Sequence, residues 1–69
     1  MKKIIATIYN DVTDSNINII WDSEDHDITY RDIDSGEEWS ADETAETLEK
    51  AIDDTYCRYN NGWDLNIIG

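Results

Sequence analysis

The strongest constraint on this chain is an excess of acidic side chains in very little sequence. Seventeen Asp and Glu oppose five Lys and Arg among 69 residues, which gives a formal net charge of −12 at pH 7. A domain of this size buries only about 60% of the surface of its unfolded chain, and a large net charge destabilises the compact state by self-repulsion. The sequence therefore predicts one domain, residues 1–69, with a thin core.

The apolar residues are still sufficient for a folded domain. Hydrophobic residues make up 39% of the chain, with three tryptophans and four tyrosines. A disordered acidic tail contains few aromatic and β-branched residues. The single cysteine, Cys57, excludes an internal disulfide.

Alternating apolar residues predict an antiparallel sheet. The clearest case is the segment in which Ile17, Ile19 and Trp21 share one face. Asp34, Ser35 and Gly36 suit a tight turn before the fourth strand. The predicted strands are residues 3–9, 16–22, 28–33, 37–39 and 63–68. Inward side chains are predicted at Ile28 and Tyr30 of the third strand and at Trp63, Leu65 and Ile67 of the last.

Residues 41–60 are predicted to form the only helix. Ser40 and Glu43 have the spacing of a capping box, and Gly62 is a natural stop. The apolar stripe at helical spacing consists of Ala41, Ala45, Leu48, Ile52 and Tyr59. The expected fold class is therefore α+β: an antiparallel sheet of about four strands covered on one face by a single helix.

Catalytic residues are scarce. The only histidine, His26, lies among carboxylates in a loop. The sequence does not indicate a serine or cysteine placed beside a base that would activate it as a nucleophile. Cys57 falls outside the apolar stripe and is expected to be a partly exposed thiol. The three glycines are too far apart for a phosphate-binding loop. We expect neither enzymatic activity nor a cofactor.

One segment has part of the spacing of a calcium loop. Residues 32–43 have Asp at the first and third positions and Glu at the twelfth, but glycine stands fifth and not sixth, and no helix precedes the segment. The sequence therefore predicts no specific metal site.

The acidic residues form two candidate partner-binding groups. On the predicted helix, Asp42, Glu46, Glu49 and Asp53 fall within roughly 60° of one another and form a carboxylate stripe. An ordinary solvated helix face is the alternative interpretation. The second group, expected to form one acidic rim, is Asp22, Glu24, Asp25, Asp27, Asp32, Asp34, Glu37 and Glu38. Trp39 lies within this rim, either as a core residue or as an anchor for a partner.

The charge also predicts what the chain does not bind. A strongly acidic protein is repelled by nucleic acid and by anionic membranes. No apolar run is long enough for a signal peptide or a membrane span. We expect a cytoplasmic protein whose partner is a protein with a basic groove, and such grooves mostly hold nucleic acid.

In its acidic clusters, its few strands and its acidic helix leading into Asn61, Gly62 and Trp63, the chain resembles the small acidic anti-defence proteins of phages, particularly anti-CRISPR proteins that mimic DNA. The resemblance implies an inhibitor that acts in the host cytoplasm. It would occupy the surface where a CRISPR effector reads its protospacer-adjacent motif.

Two other interpretations remain open. One is an inhibitor of another nuclease, either a restriction enzyme or a toxin, and the other is a calcium-binding or structural acidic module. The sequence does not distinguish competitive from allosteric inhibition, and it does not set the oligomeric state.

Overall fold

The computed structural model describes residues 1–60 and 62–68. All strand pairs are antiparallel, and the strand order in the five-stranded sheet is β4-β3-β2-β1-β5. The elements are β1 (Lys2–Asn10), β2 (Ser15–Asp22), β3 (Asp27–Asp32), β4 (Glu38–Thr44), α1 (Leu48–Tyr59) and β5 (Asn66–Ile67). The predicted α+β class, with one helix against an antiparallel sheet, is confirmed.

The core lies between the helix and one face of the sheet. The alternation in β2 places Ile19 and Trp21 in the core, with Ile17 packed against it, as predicted. In β1 a register shift between Ile4 and Ala6 allows Ile5 and Ala6, two consecutive residues, both to be fully buried. The predicted inward residues of the third strand are also confirmed, since Ile28 is buried and Tyr30 packs against the core.

A buried hydrogen bond attaches the segment before the helix to the sheet. The indole Nε1–H of Trp21 donates to the carbonyl oxygen of Ala45 at 2.8 Å. The backbone N–H of Ala45 in turn donates to the carbonyl oxygen of His26, also at 2.8 Å. These two bonds satisfy polar groups that would otherwise be buried without partners, and they fix where the chain leaves β4 and enters the helix.

The helix begins seven residues later than predicted. Residues 38–44 pair with β3 instead, so Ala41 lies in β4 and Ala45 precedes the helix. The N-cap is Thr47, whose hydroxyl accepts from the backbone N–H of Lys50 at 3.2 Å. Ser40 and Glu43 form no capping box, because pairing with a neighbouring strand overrides a local helix signal. The helical residues buried in the core are Ala51 and Thr55, which the predicted stripe omitted.

Two other strand boundaries differ from the prediction. The expected short fourth strand, residues 37–39, extends to Thr44, and the expected closing strand, residues 63–68, is reduced to Asn66–Ile67. Trp63 and Leu65 pack against the core as predicted, but Ile67, which was also predicted to face inward, is exposed. Asn61, in the predicted exit from the helix, lies outside the described residues.

Four aromatic rings form a row along the helix side of the sheet, in the order Trp39, Tyr30, Tyr59 and Trp63, with centroids 5.9, 6.2 and 5.3 Å apart. The hydroxyls of Tyr30 and Tyr59 are hydrogen bonded at 2.6 Å. Burial, followed by this hydrogen bond, raises the pKa of Tyr59 well above its ordinary value. The row therefore joins the helix to β3 and β4.

The position of the N-cap gives a direct test of where the helix begins. Replacing an N-cap threonine with alanine typically costs about 1 kcal/mol, so we expect Thr47→Ala to lower the free energy of unfolding by about this amount. Ser40→Ala is the matched control. Its hydroxyl accepts an exposed hydrogen bond from Asp42 within β4, so its loss should cost less than about 0.5 kcal/mol. Urea unfolding of both variants measures the difference, and the reverse order of costs would place the N-cap at Ser40.

Candidate functional site

Antiparallel hairpins place the acidic loops at alternate ends of the sheet. The β1–β2 turn (residues 11–14) and the β3–β4 turn (residues 33–37) lie at one end, here called the upper end. The β2–β3 loop (residues 23–26) lies at the opposite, lower end.

The prediction of one acidic rim is therefore wrong, because consecutive loops of a meander cannot share an end. The rim residues divide into Asp32, Asp34, Glu37 and Glu38 near the upper end and Asp22, Glu24, Asp25 and Asp27 near the lower end.

The upper end also contains carboxylates that the sequence reasoning missed. Asp11 and Asp14 lie in the β1–β2 turn, and the hydroxyl of Tyr9 donates to Asp14 Oδ1 at 2.5 Å. This hydrogen bond raises the pKa of Tyr9, and the nearby charges of Asp11 and Asp64 raise it further. The missed signal was topological, since a meander brings the first and third turns to the same end.

Asp32 forms the β3–β4 turn and does not begin a calcium loop. Its Oδ1 accepts from the backbone N–H groups of Asp34 at 2.9 Å and Ser35 at 3.3 Å. Gly36 follows with φ of 76°, a left-handed conformation that glycine adopts without strain. This confirms the predicted tight turn. The rest of the segment extends along β4 and does not wrap around a central point.

Three carboxylates do converge at the lower end. Asp22, Asp25 and Asp27 each offer an oxygen within 4.8 Å of the others. Oxygen donors of this kind suit hard cations, but Asp22 already accepts from the backbone N–H of Glu24 at 2.8 Å and from the Met1 amine at 3.5 Å. The hydrogen bond from Glu24 is the main reason that the pKa of Asp22 is lowered. Its carboxylate therefore already has a structural role in the loop.

The predicted carboxylate stripe on the helix is also corrected. Asp42 lies in β4 with a left-handed φ of 57°, and Glu46 precedes the helix, so only Glu49 and Asp53 lie on it. The predicted stripe required a helix that begins at residue 41. Residues 38–44 pair with β3 as a strand instead, so the first part of the predicted helix does not form. The remaining helical charge includes one internal ion pair, in which Lys50 Nζ lies 3.7 Å from Asp54 Oδ1.

Few of the carboxylates are neutralised within the molecule. Ion pairs within 4.0 Å engage Asp22 and Glu24 with the Met1 amine, Asp54 with Lys50, and Glu43 with Arg58. Of the 17 Asp and Glu side chains, the other thirteen have no cationic partner at this distance within residues 1–60 and 62–68. The acidic surface is therefore available to cations from another molecule.

The residues considered for catalysis lie apart from one another. His26 is exposed in the β2–β3 loop, where its ring stacks on Trp21 with centroids 6.4 Å apart. Cys57 is exposed on the helix, in a shallow depression also lined by Glu43, Asp54 and Arg58. The thiol and the imidazole therefore lie on different elements of the fold.

Trp39 extends from β4 on the helix side of the sheet, beside Tyr30. Its side chain is 41% exposed. Trp39 therefore packs as a core residue only on the side of its ring that faces Tyr30. The rest of its aromatic surface is open to a partner.

Within the described part of the chain, no helix has the length and apolar composition needed to cross a membrane. Comparisons with protein-family models, with curated proteins and with solved structures give no match.

The Asp22 carboxylate gives a pH-dependent test of the lower end. Its pKa is lowered in the folded state below the ordinary value of 3.8, so its contribution to stability is present above pH 3.8 and is lost as pH falls through the lower, folded-state value. Asp22→Asn retains an oxygen acceptor for the Glu24 amide but loses the charge. We expect this variant to be less stable than the wild type at neutral pH and equal to it in strong acid.

Urea unfolding across this pH range measures the effect. Asp25→Asn, in the exposed loop that follows Asp22, is the control for removing one negative charge. A stability difference between Asp22→Asn and the wild type that persists unchanged into strong acid would contradict the assigned role of the carboxylate.

Proposed function

We propose that this protein is a nucleic-acid mimic that inhibits a nucleic-acid-handling protein by occupying its basic groove. The observation that carries the proposal is the charge per unit length. The longest extent of the chain is 32 Å, and dividing it among twelve net negative charges gives about 2.7 Å per charge. Duplex DNA carries one charge per about 1.7 Å of its axis and a single strand one per about 3.4 Å.

The distribution of the charge supports the same function. Carboxylates lie at the upper end, at the lower end and on the helix, so the negative charge is spread over separate parts of the surface and not confined to one patch. Exposed examples at the three places are Asp34, Asp25 and Asp53. A basic groove that neutralises them exchanges small counterions for fixed carboxylates, and electrostatic steering speeds the encounter.

The partner class that we propose is a CRISPR effector, with the chain acting as a phage-type anti-CRISPR protein in the host cytoplasm. Such effectors hold a nucleic-acid duplex in a positively charged channel and read the protospacer-adjacent motif through arginine side chains. The proposed inhibitor needs no catalysis and no cofactor, because occupancy of the DNA-binding surface is enough. A restriction enzyme or a nuclease toxin offers a similar basic surface and is the alternative partner.

The calcium-binding alternative has one observation in its favour, the convergence of Asp22, Asp25 and Asp27. All three belong to a short loop region, and Asp22 already bonds to the Glu24 amide and the Met1 amine. Calcium binding at the lower end also gives no role to the exposed upper-end carboxylates Asp34 and Glu37. We therefore place inhibition first.

Ordered addition tests the proposed competition. We expect the protein to block DNA loading by a purified, guide-loaded CRISPR effector, and prior DNA loading to block the protein, because both fill one site. Gel-shift titration measures both orders. Equal binding of the protein to free and DNA-loaded effector would show that its binding surface lies outside the DNA site.

Charge-neutralising variants locate the binding surface. Asp34→Asn combined with Glu37→Gln removes two exposed upper-end charges, and exposed ion pairs are worth about 0.2–1 kcal/mol each. We therefore expect a several-fold to roughly tenfold rise in the concentration for half-inhibition if this end enters the groove. Asp54→Asn is the control, because its charge is already paired with Lys50. Glu24→Gln with Asp25→Asn tests the lower end in the same way, and inhibition unaffected by both double variants would contradict the proposal.

A further inference from the structure

Trp39 packs against another aromatic ring although the residue is 41% exposed. Cross-strand pairing places it opposite Tyr30, with ring centroids 5.9 Å apart and planes at 58°. Tyr30 is held in turn by Tyr59, through an edge-on ring contact and the 2.6 Å hydrogen bond between their hydroxyls. The indole is therefore supported on one side by packed aromatic rings, and it is 41% exposed.

The other two tryptophans have structural roles. Trp21 is 8% exposed and uses its indole N–H to bind the Ala45 carbonyl oxygen. Trp63 is partly buried and packs edge-on against Tyr59, next to the core. Burying a tryptophan side chain would stabilise so small a core. An exposed tryptophan does not contribute this apolar area to the stability of the fold. Trp39 is thus the tryptophan whose position best suits a contact outside the molecule.

The charge around Trp39 favours a cationic partner for its ring. Glu37 stands two residues before it in the chain and is exposed. Glu38 adjoins Trp39 in β4 and therefore points to the other face of the sheet, where its cross-strand neighbour is Arg31. The helix cation Arg58 is already engaged by Glu43. An exposed aromatic face near carboxylates attracts a cation through the ring quadrupole and the neighbouring negative charges together.

We propose that Trp39 is a stacking platform for an arginine side chain of the basic partner. This inference rests on the proposed function and specifies one contact within it. Arginine is favoured over lysine because its planar guanidinium stacks on an indole ring while its N–H groups remain free to bind a carboxylate. Glu37, two residues before Trp39 in the chain, is such a carboxylate.

Two synthetic peptides, octa-arginine and octa-lysine, test this contact without a known partner. They carry equal charge, so general attraction to the acidic surface affects both. We expect octa-arginine to bind the wild-type protein about fivefold more tightly at the same salt concentration. Trp39→Leu should bring this ratio close to one while changing the affinity for octa-lysine less than twofold.

Indole N–H signals in NMR spectra provide a second readout that needs no variant. Octa-arginine should shift the Trp39 signal strongly and leave the signal of the buried Trp21 in place. An unchanged arginine preference in Trp39→Leu, or an unmoved Trp39 signal in the wild type, would overturn the stacking proposal alone. Failure of both peptides to bind the wild-type protein at low salt would overturn the proposed function as well.

Discussion

Self-repulsion between carboxylates is the constraint on which the rest of this structure depends. A net charge of −12 in 69 residues opposes compaction, and a small domain has little buried surface to offset it. The fold responds by concentrating its apolar contacts on one face of the sheet, where Ile5 and Ile19 are fully buried. The Trp21 indole then fixes the chain at Ala45, where it crosses from the sheet to the helix.

The antiparallel topology moves the charges apart. Hairpin turns alternate between the two ends, so the acidic loops that follow one another in sequence lie at opposite ends of the sheet. Local bonds then use some of the carboxylates, as when Asp32 orders the β3–β4 turn and Asp22 orders the β2–β3 loop. The result is a compact protein with acidic groups at both ends and on the helix, and few internal cations to neutralise them.

The sequence predicted the sheet well and the helix start poorly, for a physical reason. The alternation of apolar and polar residues in β2 indicates which side chains are buried. Because a shift of one residue would expose them all, burial of these side chains sets the strand register. The helix signal at Ser40 and Glu43 was local, whereas residues 38–44 form backbone hydrogen bonds with β3 that no local pattern reveals. The register of this pairing shifts between Ser40 and Thr44, around the left-handed Asp42, and the pairing resumes at Thr44. Thr47 then caps the helix.

The sequence predicted which residues belong to the candidate site but not where they lie relative to one another. The sequence identified the acidic residues, but the carboxylate stripe depended on the misplaced helix start and the single rim ignored the alternation of turns. Asp11 and Asp14 were overlooked because they are separated in the chain from the acidic segment, and only the topology brings their turn to the same end as the β3–β4 turn. The exposure of Trp39 could not be read from its sequence neighbours, since it depends on which side chains pack around the ring in three dimensions.

The salt dependence of partner affinity tests the account most directly. The dissociation constant for a guide-loaded CRISPR effector would be measured at increasing sodium chloride concentration, with the effector's own DNA titrated alongside. If carboxylates replace phosphates in the groove, the logarithm of the association constant falls linearly with the logarithm of the salt concentration, steeply, as it does for DNA. An affinity that is independent of salt would contradict the account, because it would mean that the acidic surface takes no part in binding.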